Sequence, residues 1–272
     1  MQVETINISK LYKLEGNAEL NAIIHGKYFD DDRVILRPAI IVVAGGGYAF
    51  VSKREGEPVA SYFLEKGYNA FILNYSVTPI NYPTQLLQLS GAVDYLRKNA
   101  ERLQIDKDRI FMVGFSAGGH LVANFATDYF NVNRKFNKDY DLKVKAVCLS
   151  YAVISYKLQP SSSKTYKNLL SEYSGEEKEK LLKSLNCDEM VSNKTLPSFV
   201  WITVEDTCVP CQSSISYVNA LVKHNVKCEF HLYPQGWHGL STYDKLVNDD
   251  YKDYMQKNAT WLNFCNDFFE KV

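Results

Sequence analysis

Two hydrophobic patterns alternate along the chain. "PAIIVVA" (Pro38 to Ala44) is a continuous apolar run rich in β-branched residues and followed by glycines, so it predicts a strand buried on both faces. "PVASYFLEKG" (Pro58 to Gly67) predicts a helix with proline near its start and glycine past its end. "YNAFILNYS" (Tyr68 to Ser76) is a second buried strand, and "TQLLQLSGAVDYLRKNAERL" (Thr84 to Leu103) spaces its apolar residues at helical intervals. The alternation continues with a strand at "RIFMVG" (Arg109 to Gly114), a helix at "GGHLVANFATDYF" (Gly118 to Phe130) and a strand at "VKAVCLSY" (Val144 to Tyr151). It closes with a strand at Pro197 to Asp206, a helix at Ser213 to Asn225, a strand at Lys227 to Pro234 and an amphipathic helix from Tyr254 to Val272.

Buried strands alternating with helices predict an α/β fold: a mostly parallel sheet with helices on both faces. In such sheets ligands bind outside the carboxyl ends of the strands. Gly45 to Gly47, Ser116, Asp206 and His238 all fall at such ends. Residues 152–195 break the rhythm with "QPSSSKTY" and "SEYSGEEKEKLLKSLN". Two readings fit this small helical insertion: a cap or lid over the sheet, or a solvated surface excursion.

Composition narrows the class. The 272 residues are 46% hydrophobic, which suits a single domain over 1–272 carrying the 152–195 insertion. With 31 basic and 31 acidic residues, the chain lacks the electrostatic footprint of a nucleic-acid or anionic-membrane binder. No apolar run reaches membrane-spanning length, and the N-terminal segment lacks an apolar signal region, so a cytoplasmic location is expected. Six scattered cysteines then read as free thiols, although Cys208-x-x-Cys211 could also form a disulfide, a redox pair or half of a zinc site.

The candidate chemistry centres on "RIFMVGFSAGGHLVANFA" (Arg109 to Ala126). A G-x-S-x-G match alone is weak, because at roughly 7% glycine it arises by chance about once in ten chains of this size. Its context is informative. Between a strand and a helix, Gly114 and Gly118 leave room for a sharp elbow that exposes the Ser116 hydroxyl. A serine is a poor nucleophile without a base, and the base needs an orienting acid. Asp206 ends a strand before the turn "TCVP", with Glu205 as its rival. Of the five histidines, His238 lies in a Gly-flanked loop after a strand. His120 sits one helical turn past Ser116 and is expected to pack instead, and His25, His224 and His231 lie elsewhere in the pattern. The order Ser116, Asp206, His238 is the one expected on this architecture. Backbone donors for an oxyanion are expected at Ala117, Gly46 and Gly47. "GGGYAF" matches neither G-x-G-x-x-G nor a P-loop, which argues against a nucleotide.

These segments resemble the α/β-hydrolase superfamily from about Ala22 onward. They look most like its small bacterial carbohydrate-esterase-like branch, which groups acetyl-xylan-esterase-type and feruloyl-esterase-type proteins. The resemblance rests on "GGGYAFVSKREGEPVASYFLEKGYNAFILNYSV", the Ser116 elbow, "LPSFVWITVEDTCVP" and "FHLYPQGWHGL". It implies Ser116, Asp206 and His238 as triad, Gly46, Gly47 and Ala117 around the oxyanion, and deacylation of sugar esters. Ala44 departs from the His or Pro common before the three glycines, and Cys208 and Cys211 flank the acid loop without a family role. Tyr48, Glu55 and Trp237 are candidate substrate contacts: the aromatics stack on a sugar or simply pack, and Glu55 is a solvated charge or a brace for the glycine loop.

The sequence therefore predicts a serine carboxylic-ester hydrolase acting on a sugar or small-molecule ester, without metal or organic cofactor. An assembly of identical copies stays open. A peptidase of the prolyl-oligopeptidase type would need a large further domain for which this chain has no room, and a non-catalytic binder would not need an intact Ser–Asp–His set.

Overall fold

The computed structural model describes residues 1–28 and 34–272. Its eight strands are β1 (Gln2–Asn7), β2 (Glu19–Ile24), β3 (Arg37–Val43), β4 (Asn69–Asn74), β5 (Ile105–Phe115), β6 (Ala146–Ser150), β7 (Ser198–Thr203) and β8 (Cys228–Tyr233). They form one sheet in the order β1-β2-β4-β3-β5-β6-β7-β8. From β4 onward every pairing is parallel, and β2 runs against both of its neighbours. The helices are α1 (Ile8–Tyr12), α2 (Glu57–Glu65), α3 (Thr84–Lys98), α4 (Ser116–Phe136), α5 (Thr165–Leu169), α6 (Gly175–Ser184), α7 (Cys211–Lys223), α8 (Tyr254–Asn258) and α9 (Trp261–Lys271).

Alternation along β5 shows how the layers are built. Successive side chains of a strand point to opposite faces. Phe111 stacks on Phe269 of α9 at 4.5 Å between ring centroids, and Phe115 meets Trp261 of the same helix. Gly114 faces the other way, where a Cβ would meet Gly118 and Val122 of α4. The sheet is thus covered on both faces, which explains why the central strands read as unbroken apolar runs. Trp201 of β7 stacks on Trp261 at 5.0 Å and is fully buried. Burial of each such large side chain contributes roughly 2–3 kcal/mol.

The predicted α/β-hydrolase architecture is the one found, with three differences. β1, α1 and β2 were not read from the pattern: all three are short, and β1 is polar at four of its six positions. The closing helix is broken after Asn258, where the Thr260 hydroxyl caps the Lys257 carbonyl. α4 runs further in both directions than the predicted 118–130.

Parallel register aligns the carboxyl ends. Val43 pairs with Gly114, Phe115 with Ser150, Ser150 with Trp201, and Thr203 with Tyr233. The loops that follow these ends carry Gly45 to Gly47, Ser116, Asp206 and His238, so the topology gathers them at one edge. The 152–195 segment holds α5 and α6.

Candidate active site

Ser116 begins α4 directly after β5 and adopts φ +52°. The left-handed region costs an L-residue about 1 kcal/mol, and the surrounding close approach holds it there. A Cβ on Gly118 would lie 2.3 Å from the carbonyl oxygens of Val43 and Ala44. One on Gly114 would lie 2.7 Å from the Gly118 carbonyl oxygen. The two glycines therefore let helix and strand meet at backbone distance.

His238 Nε2 lies 2.8 Å from Ser116 Oγ, and His238 Nδ1 lies 2.7 Å from Asp206 Oδ2. An ionised carboxylate can only accept, so in the neutral ring Nδ1 carries the proton and Nε2 is the acceptor for the serine hydroxyl. Asp206 is itself fixed: its Oδ1 accepts from the N–H groups of Cys208 and Val209, at 2.9 and 2.8 Å. Glu205, the rival acid, turns to the histidine loop, where it accepts from the Gly236 N–H. Thr203 donates to the Gly236 carbonyl and Asn258 to the Gln235 carbonyl, so three side chains hold the loop that carries the imidazole.

The N–H groups of Gly46 and Gly47 donate to no acceptor among the described residues, and both glycines line the cleft that contains Ser116. Gly46 has φ +127°, and a Cβ there would lie 2.0 Å from the Phe50 carbonyl oxygen. Ala117 is fully buried, with its N–H in the first turn of α4, where helix donors lack intrahelical partners.

This glycine loop is clamped from three sides. Gly45 N–H donates to Glu55 Oε2 at 2.7 Å. From the inserted segment, Asn168 donates to the Gly47 carbonyl at 2.8 Å. Tyr48 is bonded to His120 Nδ1 at 2.8 Å, and His120 Nε2 reaches the Leu185 carbonyl at 3.1 Å. A carbonyl only accepts, so His120 is the Nε2–H tautomer and Tyr48 O–H donates to Nδ1. Burial lowers the His120 pKa to about 4, which keeps the ring neutral.

Of the three candidate substrate contacts, Tyr48 and Trp237 need correction, and Glu55 takes the alternative role of a brace. Tyr48 is 1% exposed: its positive φ turns the ring into the core, where it faces His120 and Tyr75. Trp237 is 44% exposed but points away from the cleft, toward Tyr254. Glu55 reaches the cleft wall, yet it is 3% exposed and both of its oxygens are committed, one to Gly45 and one to Tyr151 O–H at 2.7 Å. It stands as a brace. Burial raises its pKa, while the bonds from Tyr151 and Gly45 pull the other way. Because Tyr151 Oη accepts from Ser241 N–H, its own proton must go to Glu55, which fits an ionised carboxylate receiving two donors.

The cleft has a volume of about 570 Å³. Gln159, Ser163, Lys164 and Thr165 of the inserted segment form one wall, and Phe50 and Val209 contribute to others. Phe50 is 61% exposed, an aromatic face open to the cleft that the sequence reading missed. Asn168 and Tyr151 were missed as well: nothing local in sequence marks a residue whose partner is a hundred positions away. All six cysteines are free thiols, and Cys208 lines the cleft with its pKa raised by burial and then by the Asp206 charge. Among the described residues there is no group of three or more His, Cys, Asp or Glu side chains placed to hold a metal ion, and no helix long and apolar enough to cross a membrane.

The sheet order, the strained serine elbow and the loops at the carboxyl edge define an α/β hydrolase. A carboxylesterase from Lactobacillus plantarum superposes with a TM-score of 0.88 at 26% identity, over 100% of this chain and 98% of that one. An acetyl ester-xyloside bifunctional hydrolase from Caldicellulosiruptor lactoaceticus gives 0.82 at 31% identity, over 98% and 96%. The BD-FAE family profile matches residues 28–221, and the chain belongs to that family. Among curated relatives, an endo-1,4-beta-xylanase B of Butyrivibrio fibrisolvens is 31% identical over 82% of this chain, and an acetylxylan esterase of Xylanibacter ruminicola is 26% identical over 78%. The chain spans 35% and 44% of their respective lengths.

Proposed function

We propose that the chain is a serine esterase that removes short acyl groups, acetyl above all, from sugar hydroxyls. The observation that carries this reading is the unbroken hydrogen-bond chain from Ser116 through His238 to Asp206, at 2.8 and 2.7 Å. Ser116 Oγ attacks the ester carbonyl while His238 Nε2 takes its proton, and Asp206 stabilises the imidazolium through Nδ1–H. The tetrahedral oxyanion sits against the N–H groups of Gly46, Gly47 and Ala117, each of which lowers the barrier by about 3 kcal/mol. His238 Nε2–H then protonates the departing alcohol. In the second half the same nitrogen takes a proton from water, whose oxygen attacks the acyl-enzyme, and the acid leaves as Ser116 regains its hydrogen.

Support for a sugar as the alcohol comes from the cleft and from the names of the relatives. One wall presents an amide and hydroxyls from Gln159, Ser163 and Thr165, and Phe50 presents a ring face. Aromatic faces combined with fixed polar groups suit a polyhydroxylated ring. Two relatives are named for acetylxylan and for an acetyl ester-xyloside.

The test is hydrolysis of p-nitrophenyl acetate by the wild type and Ser116→Ala, with fluorophosphonate labelling alongside. Loss of both turnover and label in the variant is expected, and equal turnover would rule out Ser116 as nucleophile. Acetylated xylo-oligosaccharides and feruloyl esters assayed side by side then rank the acyl group and the alcohol.

A further inference from the structure

The inserted segment lines a second, open cavity of about 280 Å³ that adjoins the cleft at Gln159 and Ser163, which line both. Among the described residues no Asp or Glu lines it. Its walls carry Lys167 from α5 and Lys178 from α6, and neither ammonium belongs to an ion pair among the described residues. Nearby Lys157, by contrast, is paired with Glu189.

Lys178 is unusual for its helix. α6 is exposed along most of its length, and its half-buried positions include 178, 181 and 182. This i, i+3, i+4 spacing is the inward stripe of an amphipathic helix, where an apolar residue is the ordinary choice. Leucines hold the other two positions, and a lysine without a counter-charge holds the first.

Two further residues of its wall carry donors without acceptors among the described residues, with the donor atoms buried inside the wall and closed to the cavity. Tyr166, 8% exposed, has a hydroxyl with no hydrogen-bond partner, and the Gln159 amide nitrogen has none either. Burial raises the Tyr166 pKa well above the usual phenol range, so it remains an O–H donor. Buried donors without acceptors are costly unless something accepts from them. Two ammoniums with no carboxylate in the cavity lining are complementary to an anion.

We propose that this cavity is a subsite for a carboxylate on the substrate, as in an oligosaccharide that bears a uronic acid. Lys178 and Lys167 supply the charge that draws the carboxylate. The inference rests on the esterase reading above. An acetyl group bears no carboxylate of its own, so the carboxylate belongs to the alcohol portion of the ester.

The test uses two acetylated xylo-oligosaccharides that differ only by one glucuronic acid branch. The wild type is expected to show a lower KM for the branched compound, with the advantage shrinking as salt rises. Lys178→Met keeps the aliphatic stem and should raise KM for the branched ester about tenfold, the loss of one charge-assisted hydrogen bond, while leaving the unbranched ester unchanged. Lys167→Met should shift KM in the same direction. Equal effects of Lys178→Met on both esters, or no effect on either, would overturn the proposal. Calorimetric titration with the same two oligosaccharides after deacetylation separates this inference from the esterase reading. Lys178-dependent binding of the branched compound without any ester hydrolysis would sink only the activity. Hydrolysis of both esters with no preference for the branch would sink only the subsite.

Discussion

Tyr151 donates its phenolic proton to Glu55 across 2.7 Å, and this hydrogen bond joins the two loops that flank Ser116. On one side Glu55 holds the Gly45 N–H, and on the other Tyr151 Oη receives the Ser241 N–H three residues past His238. The Tyr151 ring also packs edge-on against the imidazole, with centroids 5.0 Å apart. The glycine loop and the histidine loop are thus positioned by a shared buried carboxylate.

Replacing that carboxylate by its amide, Glu55→Gln, leaves one oxygen to face two donors and turns an NH2 toward the other. The mismatch is expected to destabilise the fold by about 1–3 kcal/mol. It should also reduce kcat about tenfold or more with little change in KM, since the loop meets the oxyanion and not the ground state. Denaturant midpoints and steady-state kinetics on p-nitrophenyl acetate check both.

Asp206→Asn should retain the fold, because the amide oxygen can still accept from Cys208 and Val209 N–H. The amide nitrogen then faces His238 Nδ1 and favours the tautomer with a proton on Nε2, which cannot take one from Ser116. A drop in kcat of about four orders of magnitude is expected, with an unchanged circular dichroism spectrum.

Asn168→Ala removes the bond from the inserted segment to the Gly47 carbonyl. A half-buried side chain in a short helix contributes little to global stability, so the melting temperature should hold within a few degrees. kcat should fall about tenfold through a looser oxyanion loop. If KM alone moved, Asn168 would be a substrate contact and not a brace.

His120 gives the protein a pH-dependent stability. Its pKa is 6.5 in an unfolded chain and about 4 when folded. Between these values the unfolded state binds a proton that the folded state refuses, so this contribution is present above pH 6.5 and is lost as pH falls toward 4. It amounts to as much as about 3 kcal/mol. His120→Gln retains an acceptor for Tyr48 and a donor for Leu185 but does not titrate. Its unfolding midpoint should therefore depend less steeply on pH than that of the wild type across this window.

The mostly parallel α/β sheet and the positions of Ser116, Asp206 and His238 were readable because each depends on local pattern: apolar runs, glycines at an elbow, polar residues just past strand ends. Parallel register does the rest by bringing those ends to one edge. Side-chain direction was not readable. Tyr48 and Trp237 each adjoin a residue that faces the cleft, yet a positive φ sends the first into the core and the loop path sends the second outward. Phe50, two residues from Tyr48, holds the exposed face instead. Asn168 stayed hidden for a different reason: its partner is a backbone carbonyl 121 residues away, and a carbonyl has no sequence identity to match.

The left-handed backbone at Ser116 carries one further implication. Glycine would adopt that conformation without the penalty of about 1 kcal/mol, so Ser116→Gly relieves strain that Ser116→Ala keeps. An inert protein of this sequence could therefore be the hardier one. If the chain is held to a serine here, it is held by selection for turnover against the preference of its own fold, and the elbow is a place where durability and usefulness pull in opposite directions.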